Sequence, residues 1–339
     1  MSIAKKRLVT GIKPTGDLTL GNYLGVVKPL VNFQKKFNQE YDFYVFIADL
    51  HALTKFQEPT LLKKRIKNIA SLYLASGLEP SQVNLFVQSE VVQHTYLSYI
   101  MESTSYLGEL NRMIQFKEQK KNNSSQNIRT SYYTYPLLMA SDILLYDANV
   151  VPVGQDQKQH LELTRDLAER FNSLYGETFV IPEFLKMGHT IKSLTEPTKK
   201  MSKSFQLDPQ NDKGCIFLSE DLKVIRQKIM RSVTDSDKKI YYDLEKKPGI
   251  SNLLTIYSAL KDLSMEETEK YFLNSSYQIL KEKVADIVVE KIDEIQKKFT
   301  FYNKNSLLDD IFEKGAKNSS FIAEKKIKKV KKKLGIGWR

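Results

Sequence analysis

The first ninety residues alternate between short apolar runs and amphipathic stretches, and this alternation limits the possible folds more than any other feature of the chain. The runs RLVTG at 7–11, DFYVFIADLH at 42–51 and QVNLFVQSE at 82–90 predict strands, and the last two are apolar enough to be buried on both faces. Helical patterns separate them, and strands joined through helices pair in parallel with right-handed crossovers. The pattern predicts an α/β domain whose ligands lie beyond the carboxyl ends of the strands.

Local signals refine this outline. Thr60 is expected to cap the helix between the second and third strands, Gly77 to end it, and Pro29 to bend the helix after the first strand. A helical, loop-broken insertion is expected at about 94–147. Helical patterns alone follow Ser204, several of them with a serine N-cap and acidic residues in the first turn. We therefore predict a sheet domain at 1–205 and a helical domain at 206–339.

Composition narrows the class of partner and compartment. The chain of 339 residues carries a net charge of +12, and seven lysines fall within 325–333, which favours a polyanionic partner. A lysine-rich proteome explains the net charge equally well, and capping of a helix C-terminus would explain part of the lysine run. Neither a membrane-length apolar run nor a secretory signal pattern is visible, and Cys215 is the single cysteine, so we expect a cytoplasmic protein without disulfides or a structural zinc site.

Two loops have compositions suited to phosphate. GIKPTGDLTLGN follows the first strand and precedes a helix, an arrangement that presents backbone N–H groups, although an ordinary glycine turn fits as well. TKKMSKS at 198–204 holds three lysines and three hydroxyl residues and is either a phosphate-binding loop or a solvated one. Composition alone leaves the alternatives open for both.

Together the two loops resemble a known pair of signatures. GIKPTGDLTLGNYLG is similar to the HIGH-type signature of class I aminoacyl-tRNA synthetases, and KMSKS at 200–204 resembles the second signature of that class. GELNRMIQFKE, YPLLMASD, PVGQDQKQH, TDSDKKIYYD and KPGISNLLTIYSAL resemble bacterial tryptophanyl-tRNA synthetases, and the match extends over essentially the whole chain. The tyrosyl enzymes share the fold and the KMSKS loop but differ in the amino-acid pocket.

The resemblance implies an architecture and a reaction. The fold would be a Rossmann-like, HUP-type parallel-sheet domain with a helical insertion, the KMSKS loop at 198–205, and a helical anticodon-binding domain with a basic C-terminal helix. The enzyme would be a homodimer that activates L-tryptophan with ATP, releasing pyrophosphate, and transfers tryptophan from the adenylate to the 3′ end of tRNA(Trp). Mg²⁺ would arrive with ATP, without a metal site held by the protein. Such chemistry needs aligned anions and positive charge rather than a protein nucleophile.

The resemblance also assigns residues. It gives catalytic roles to Thr19, Asn22, Lys200 and Lys203. The ATP contacts would come from Lys13, Pro14, Thr15, Gly21, Asn22, Gly154, Gln155, Asp156, Ile191, Lys200, Met201, Ser202, Lys203 and Ser204. The tryptophan contacts would come from Gln115, Tyr135, Met139, Asp142, Val153, Gln157 and His51. Two positions depart from the family pattern, because Lys13 replaces a frequent glutamine and Gln155 a frequent glutamate.

Asp142 is expected to set specificity by accepting the indole N–H. Tyrosine or phenylalanine would then leave a buried carboxylate unpaired, which is costly. His51 follows the second strand and is as consistent with a structural histidine as with a ligand contact. The polar segment 116–131 is interpreted as a cover over pyrophosphate, a tRNA contact or a plain surface loop.

Two other functions stay open at this stage. A small-molecule nucleotidyltransferase shares the HIGH-type loop and the adenylyl chemistry but lacks a long helical C-terminal domain and the KMSKS loop. A non-catalytic, RNA-binding paralogue would have lost its ATP loops, whereas KMSKS and Asp142 are intact here. Amino-acid-dependent pyrophosphate exchange separates all three.

Overall fold

The computed structural model describes residues 5–122, 128–154, 157–201, 212–304 and 306–338, without the side chains of residues 121 and 122. Its sheet is parallel, with the strand order β3-β2-β1-β4-β5. The strands are β1 (Lys6–Ile12), β2 (Tyr41–Ile47), β3 (Asn84–Val87), β4 (Val150–Pro152) and β5 (Glu183–Leu185). This is the α/β class predicted from the alternation of apolar runs and helices.

Helices of very different lengths surround the sheet and continue beyond it. Those before the KMSKS region are α1 (Leu20–Asn22), α2 (Lys28–Phe37), α3 (Asp49–Ala52), α4 (Pro59–Ala75), α5 (Gln93–Thr104), α6 (Leu107–Asn111), α7 (Ile114–Asn122), α8 (Thr130–Leu144) and α9 (Lys158–Tyr175). Those after it are α10 (Leu222–Met230), α11 (Pro248–Lys261), α12 (Met265–Phe272), α13 (Tyr277–Lys304) and α14 (Leu307–Leu334). A π-helical turn covers Tyr23–Val27, and 3-10 turns cover Pro80–Gln82 and Gln88–Glu90.

The sheet separates two apolar cores. Successive strand residues point to opposite faces, so Leu8 and Val45 enter one core while Val9 and Phe46 enter the other. Helices α2, α4 and α13 contribute to the first core, and α5, α8 and α9 to the second. Burial on both faces explains why the strand segments are almost continuously apolar in the sequence.

Helix α4 ends where the sequence predicted but begins at a different residue. Gly77 has a φ of +103° just past the helix, so the predicted glycine stop is confirmed. The predicted cap at Thr60 is wrong. The cap is Glu58, whose carboxylate accepts the backbone N–H groups of Thr60 at 3.0 Å and Leu61 at 2.6 Å. Pro59 suits the first helical position, and the helix starts two residues earlier than a cap at Thr60 would place it.

The part of the chain described after residue 211 contains helices and turns but no strand, as the sequence predicted. The final helix, α14, nevertheless returns to the sheet. A Cβ built on Gly315 would lie 2.0 Å from the carbonyl oxygen of Leu85 in β3, so the two backbones are in direct contact. Lys326, buried near the end of α14, donates to the Thr178 carbonyl at 2.7 Å and forms an ion pair with Asp147. The predicted domain boundary at 205/206 lies outside the described residues.

Among the described residues, no helix combines the length and the apolarity needed to cross a membrane. Pro29, the residue expected to bend the helix after the first strand, stands in the first turn of α2, directly after the π-helical turn.

Candidate active site

A cleft of about 490 Å³ opens at the carboxyl ends of β1, β2 and β4. Its position is the one that a parallel sheet predicts for ligands. Ten of the residues assigned from the sequence line it: Lys13, His51, Gln115, Tyr135, Met139, Asp142, Val153, Gly154, Gln157 and Lys200. The strands bring these residues together from positions almost two hundred residues apart.

Asp142 lies on α8 at the floor of this cleft and is only 2% exposed. Its Oδ1 accepts hydrogen bonds from Gln88 Nε2 at 2.7 Å and from His94 Nδ1 at 2.6 Å. Its Oδ2 accepts one from His51 Nε2 at 2.8 Å. A carboxylate offers about four lone-pair sites, so these contacts fill both sites on Oδ1 and one on Oδ2. The site left on Oδ2 suits one further N–H donor from a ligand.

Two of the three donors, His51 and His94, also keep Asp142 ionised. Burial by itself would raise the pKa of this carboxyl, but the hydrogen bonds and charges of His51 and His94 outweigh it and lower the pKa to about 2. The expectation that a wrong amino acid leaves this carboxylate unpaired is therefore wrong. Protein donors already satisfy three of its sites, so a ligand without a donor leaves a single acceptor position unfilled rather than a bare buried charge.

Gln88 and His94 are the site residues that sequence reasoning missed. Both are fully buried and reach Asp142 from behind the cleft rather than lining it. Because carboxylate oxygens can only accept, His94 Nδ1 carries the proton that it donates to Asp142, and its Nε2 lies 2.8 Å from the Tyr146 hydroxyl. A signal existed in the sequence: Gln88 directly follows a buried strand, at the edge where ligands were expected.

His51 both lines the cleft and supports Asp142. Its side chain is 14% exposed, and its Nε2 donates to the carboxylate. The sequence left open whether His51 is a structural residue or a ligand contact. In the structure both interpretations are compatible, because the hydrogen bond to Asp142 orients a ring that also lines the cleft.

Polar side chains of α7 and α8 also line the cleft, and one of them contacts α9. The hydroxyl of Tyr135 bonds to Gln115 Oε1 and lies 2.6 Å from His160 Nε2. Met139 and Val153 are partly buried against the second core and supply apolar surface to the same cleft. A flat aromatic ligand can therefore lie between apolar side chains, with polar groups at both of its ends.

Three lysines give the lining of the cleft a positive charge. Lys13 Nζ donates to Thr54 Oγ1 at 2.8 Å, and Lys55 and Lys200 line the cleft beside it. Burial, together with the charge of Lys55, lowers the pKa of Lys13 from 10.5 to about 8. Lysines held close together and partly desolvated favour a bound polyanion, which restores their preference for the charged form.

The HIGH-type loop is held by its own side chains. Thr19 and Asn22 form a capping box, in which Asn22 N–H donates to Thr19 Oγ1 at 3.2 Å and Thr19 N–H to Asn22 Oδ1 at 3.1 Å. The Asn22 Oδ1 atom is thereby used within the loop, and its amide NH₂ group is the part suited to phosphate. Thr19 is buried and caps α1, a role that the sequence assignment did not include.

The two signature loops touch. A Cβ built on Gly21 would lie 3.3 Å from the Met201 carbonyl oxygen, a spacing that favours glycine. Met201 N–H donates in turn to the Ile191 carbonyl at 2.8 Å. Neither Ile191 nor Met201 lines the cleft, and both are buried. Any adenine contact made by Ile191 therefore involves backbone that already supports the KMSKS segment.

The remaining assigned residues divide into two groups. Pro14 is buried and Thr15 half-buried, beside rather than in the lining of the cleft. The predicted ATP ligands Gln155, Asp156, Ser202, Lys203 and Ser204 lie outside the described residues.

Comparison with known proteins agrees with this geometry. Residues 3–292 match the family model of tRNA synthetases class I (W and Y). The chain is 47% identical over 333 residues to a tryptophan–tRNA ligase of Caldanaerobacter subterraneus subsp. tengcongensis, with 98% of each chain covered. It is 44% identical to that of Bacillus subtilis, again covering 98% of each.

Solved structures give the same result. The tryptophanyl-tRNA synthetase of Mycoplasma pneumoniae superposes with a TM-score of 0.89 at 36% identity, covering 98% of this chain and 99% of its own. The Campylobacter jejuni enzyme, solved with ADP and tryptophan, superposes with a TM-score of 0.77 at 29% identity, covering 97% and 100%. With a full-length match, the parallel sheet and both signature loops in contact, the chain belongs to the tryptophan–tRNA ligases, within the class I tRNA synthetases for tryptophan and tyrosine.

Proposed function

We propose that this chain activates L-tryptophan with ATP, forming tryptophanyl-adenylate and pyrophosphate, and then transfers tryptophan to the 3′ end of tRNA(Trp). The observation that carries the proposal is the buried, ionised Asp142 at the floor of the cleft, with one acceptor site left on Oδ2. The relatives that share its full length are tryptophan–tRNA ligases, and one solved relative holds ADP and tryptophan.

In this proposal the indole N–H donates to Asp142 Oδ2, while Met139 and Val153 contact the faces of the ring. Tyr135 and Gln115, which are hydrogen-bonded to each other, hold the amino end together with Gln157. A hydrogen-bonding site of this kind discriminates by chemistry as well as by shape. Phenylalanine offers no donor to Oδ2, and tyrosine carries its donor as a hydroxyl on a phenyl ring rather than as the N–H of an indole.

ATP occupies the lysine-rich end. Lys13 and Lys200 neutralise the phosphates, and Asn22 donates from its side-chain amide at the N-terminus of the helical segment. Mg²⁺ enters with ATP as part of the substrate. The tryptophan carboxylate attacks the α-phosphorus and pyrophosphate departs, so the protein has to align two anions and stabilise charge on the leaving group. The residues that face the cleft are of the types that this task requires.

The proposal extends to partners. The helical domain from about 206 reads the anticodon, and the basic α14 together with the net charge of +12 favours contact with the tRNA backbone. We propose a homodimer joined through the sheet domain, because α5 and α6 expose aromatic and apolar side chains, including Tyr99 at 71%, Tyr106 at 64% and Leu107 at 70%. We also propose a cytoplasmic location, in keeping with this role.

The function is tested by pyrophosphate–ATP exchange with each of the twenty amino acids in turn, with and without tRNA. We expect exchange with tryptophan alone, followed by attachment of labelled tryptophan to tRNA(Trp). Exchange with tyrosine would assign the chain to the other branch of its family. Transfer of AMP to a free metabolite would instead support a nucleotidyltransferase, and no exchange with any amino acid would support a non-catalytic RNA-binding protein.

A further inference from the structure

The KMSKS segment begins in a short hairpin. Ile191–Ser193 runs antiparallel to Lys199–Met201, with Lys192 opposite Lys200. Met201 N–H donates to the Ile191 carbonyl at 2.8 Å, and Ser193 N–H to the Lys199 carbonyl at 2.9 Å. Lys200 lines the ATP end of the cleft. The placement of this hairpin therefore determines where the Lys200 charge lies.

The outer edge of the hairpin is paired with a side chain. In an antiparallel pair, the backbone groups of alternate residues point away from the partner strand, and here these are the N–H and C=O of Lys192. Asn252 Oδ1 accepts the Lys192 N–H at 2.8 Å, and Asn252 Nδ2 donates to the Lys192 carbonyl at 2.9 Å. The carboxamide thus takes the place of a peptide group in a third strand, and only this orientation of the amide satisfies both bonds.

Asn252 belongs to α11, which is itself firmly seated in the helical domain. Lys247, at the N-terminus of α11, is 2% exposed and pairs with Asp235 at 2.8 Å and Asp237 at 2.9 Å. A Cβ on Gly249 would lie 2.2 Å from the Val233 carbonyl oxygen, so α11 packs directly on the preceding backbone. The amide that holds the hairpin is therefore presented by a fixed helix rather than by a loop.

We propose that Asn252 is a positioning residue of the ATP site, which couples the helical domain to the hairpin that carries Lys200. Asn252 is 3% exposed and does not line the cleft, so it acts through Lys192 and not on the substrate. The inference rests on the proposed function, because it assigns Lys200 to ATP. It predicts that loss of the amide slows adenylate formation while tryptophan binding is preserved, since Asp142 and its donors belong to other elements.

The test uses the full chain with Asn252→Leu, which removes both bonds at similar volume, and Asn252→Asp, which keeps only the acceptor. Thr255→Val is the matched control, because Thr255 is a buried polar residue of the same helix whose hydroxyl bonds only within it, to the Ser251 carbonyl. Tryptophan-dependent exchange gives kcat and KM, and equilibrium dialysis gives the tryptophan Kd. We expect kcat to fall at least tenfold in both Asn252 variants, the tryptophan Kd to stay within twofold, and the control to match the unaltered chain.

A pH profile separates positioning from general loss of packing. A protonated aspartic acid has one donor and one acceptor and can replace both bonds of Asn252. The ratio of kcat in Asn252→Asp to kcat in Asn252→Leu should therefore rise as the pH falls from 8 to 6. If Asn252→Leu does not fold, the isosteric aspartate variant carries the test against the unaltered chain.

Three results would overturn the inference: unchanged kcat in both Asn252 variants, an equal fall in the Thr255 control, or a tryptophan Kd weakened as much as kcat. Absence of tryptophan-dependent exchange in the unaltered chain would instead refute the proposed function itself.

Discussion

Replacing Asp142 by asparagine tests the tryptophan site most directly, because the change keeps the shape of the side chain and removes its charge. The carboxylate accepts from Gln88, His94 and His51, and the proposed ligand donor occupies its last site. A hydrogen bond to a charged acceptor contributes about 1.5–3 kcal/mol. Asparagine has a single acceptor oxygen, which should stay with the two donors now on Oδ1, so its NH₂ group would face the ligand N–H and that bond would be lost. At about 1.4 kcal/mol per tenfold, this loss should raise the tryptophan Kd roughly ten- to hundredfold.

In the proposed arrangement ATP contacts Lys13 and Lys200 rather than Asp142, so its Kd should stay within twofold in the same variant. Both constants are measured by equilibrium dialysis with labelled ligands. The control is Ser141→Ala, because Ser141 is buried beside Asp142 on α8 and its hydroxyl donates only to the Leu137 carbonyl, at 2.9 Å. Equal weakening of tryptophan and ATP, or a tryptophan Kd within twofold of the unaltered chain, would refute the assigned role.

The same carboxylate predicts a pH dependence. Its folded-state pKa is lowered to about 2 from 3.8, so its contribution to stability is fully present above about pH 4 and is lost as the pH falls towards 2. Asp142 should therefore add no pH dependence to tryptophan binding between pH 5 and 8. An inflection in that range which persists when His51 is replaced by glutamine would contradict this.

The remaining predictions concern charge and packing. Because the pKa of Lys13 is about 8, the affinity for ATP should fall as the pH rises through that value, by up to about tenfold. ATP binding measured from pH 6.5 to 9.5 checks this, and Lys13→Arg should remove the dependence. Lys203→Ala should lower kcat for exchange more than it raises the tryptophan KM, because its charge acts in the transition state, and an effect on KM alone would count against that. Gly315→Ala should destabilise the fold by about 1–3 kcal/mol in urea unfolding, because its Cβ would lie 2.0 Å from the Leu85 carbonyl oxygen. Gly108→Ala is the control and should have little effect, since the nearest atom to its Cβ would lie at 3.7 Å. Equal unfolding midpoints for the two variants would refute the close contact.

Local sequence predicted the strands well but their ends less well. The apolar run at 42–51 covers all of β2 except its first residue, and the run at 82–90 contains β3, yet β3 ends at Val87 and the chain turns into a 3-10 segment. Apolar character reports burial, and burial continues through the turn to Gln88, so composition alone does not mark where a strand stops. The predicted N-cap of α4 was wrong for a different reason. Threonine is a favoured N-cap residue, but Pro59 favours the first helical position and so determines where this helix begins.

The candidate site was predictable where it depends on motif and not where it depends on packing. The resemblance assigned Asp142, Tyr135 and Lys200, and all three line one cleft. It did not identify His94, because nothing in the sequence around a single histidine on a helix indicates which carboxylate it contacts in the folded chain. The lowered pKa of Asp142 results from its contacts with His94 and His51 and could not be predicted from the local sequence.

The order of apolar runs, glycines and signature loops was enough to establish a parallel α/β domain, a helical C-terminal region and the family, because these depend on short-range periodicity and on contiguous motifs. Contacts between distant segments depended on the folded chain. Only packing brings Gln88, His51 and His94 to one carboxylate, places Gly21 against Met201, and joins Asn252 of the helical region to Lys192 across 60 residues of sequence. Hydrogen bonding and desolvation act over a few ångströms in space. The separation of these residues along the sequence does not predict how close they lie in the folded chain.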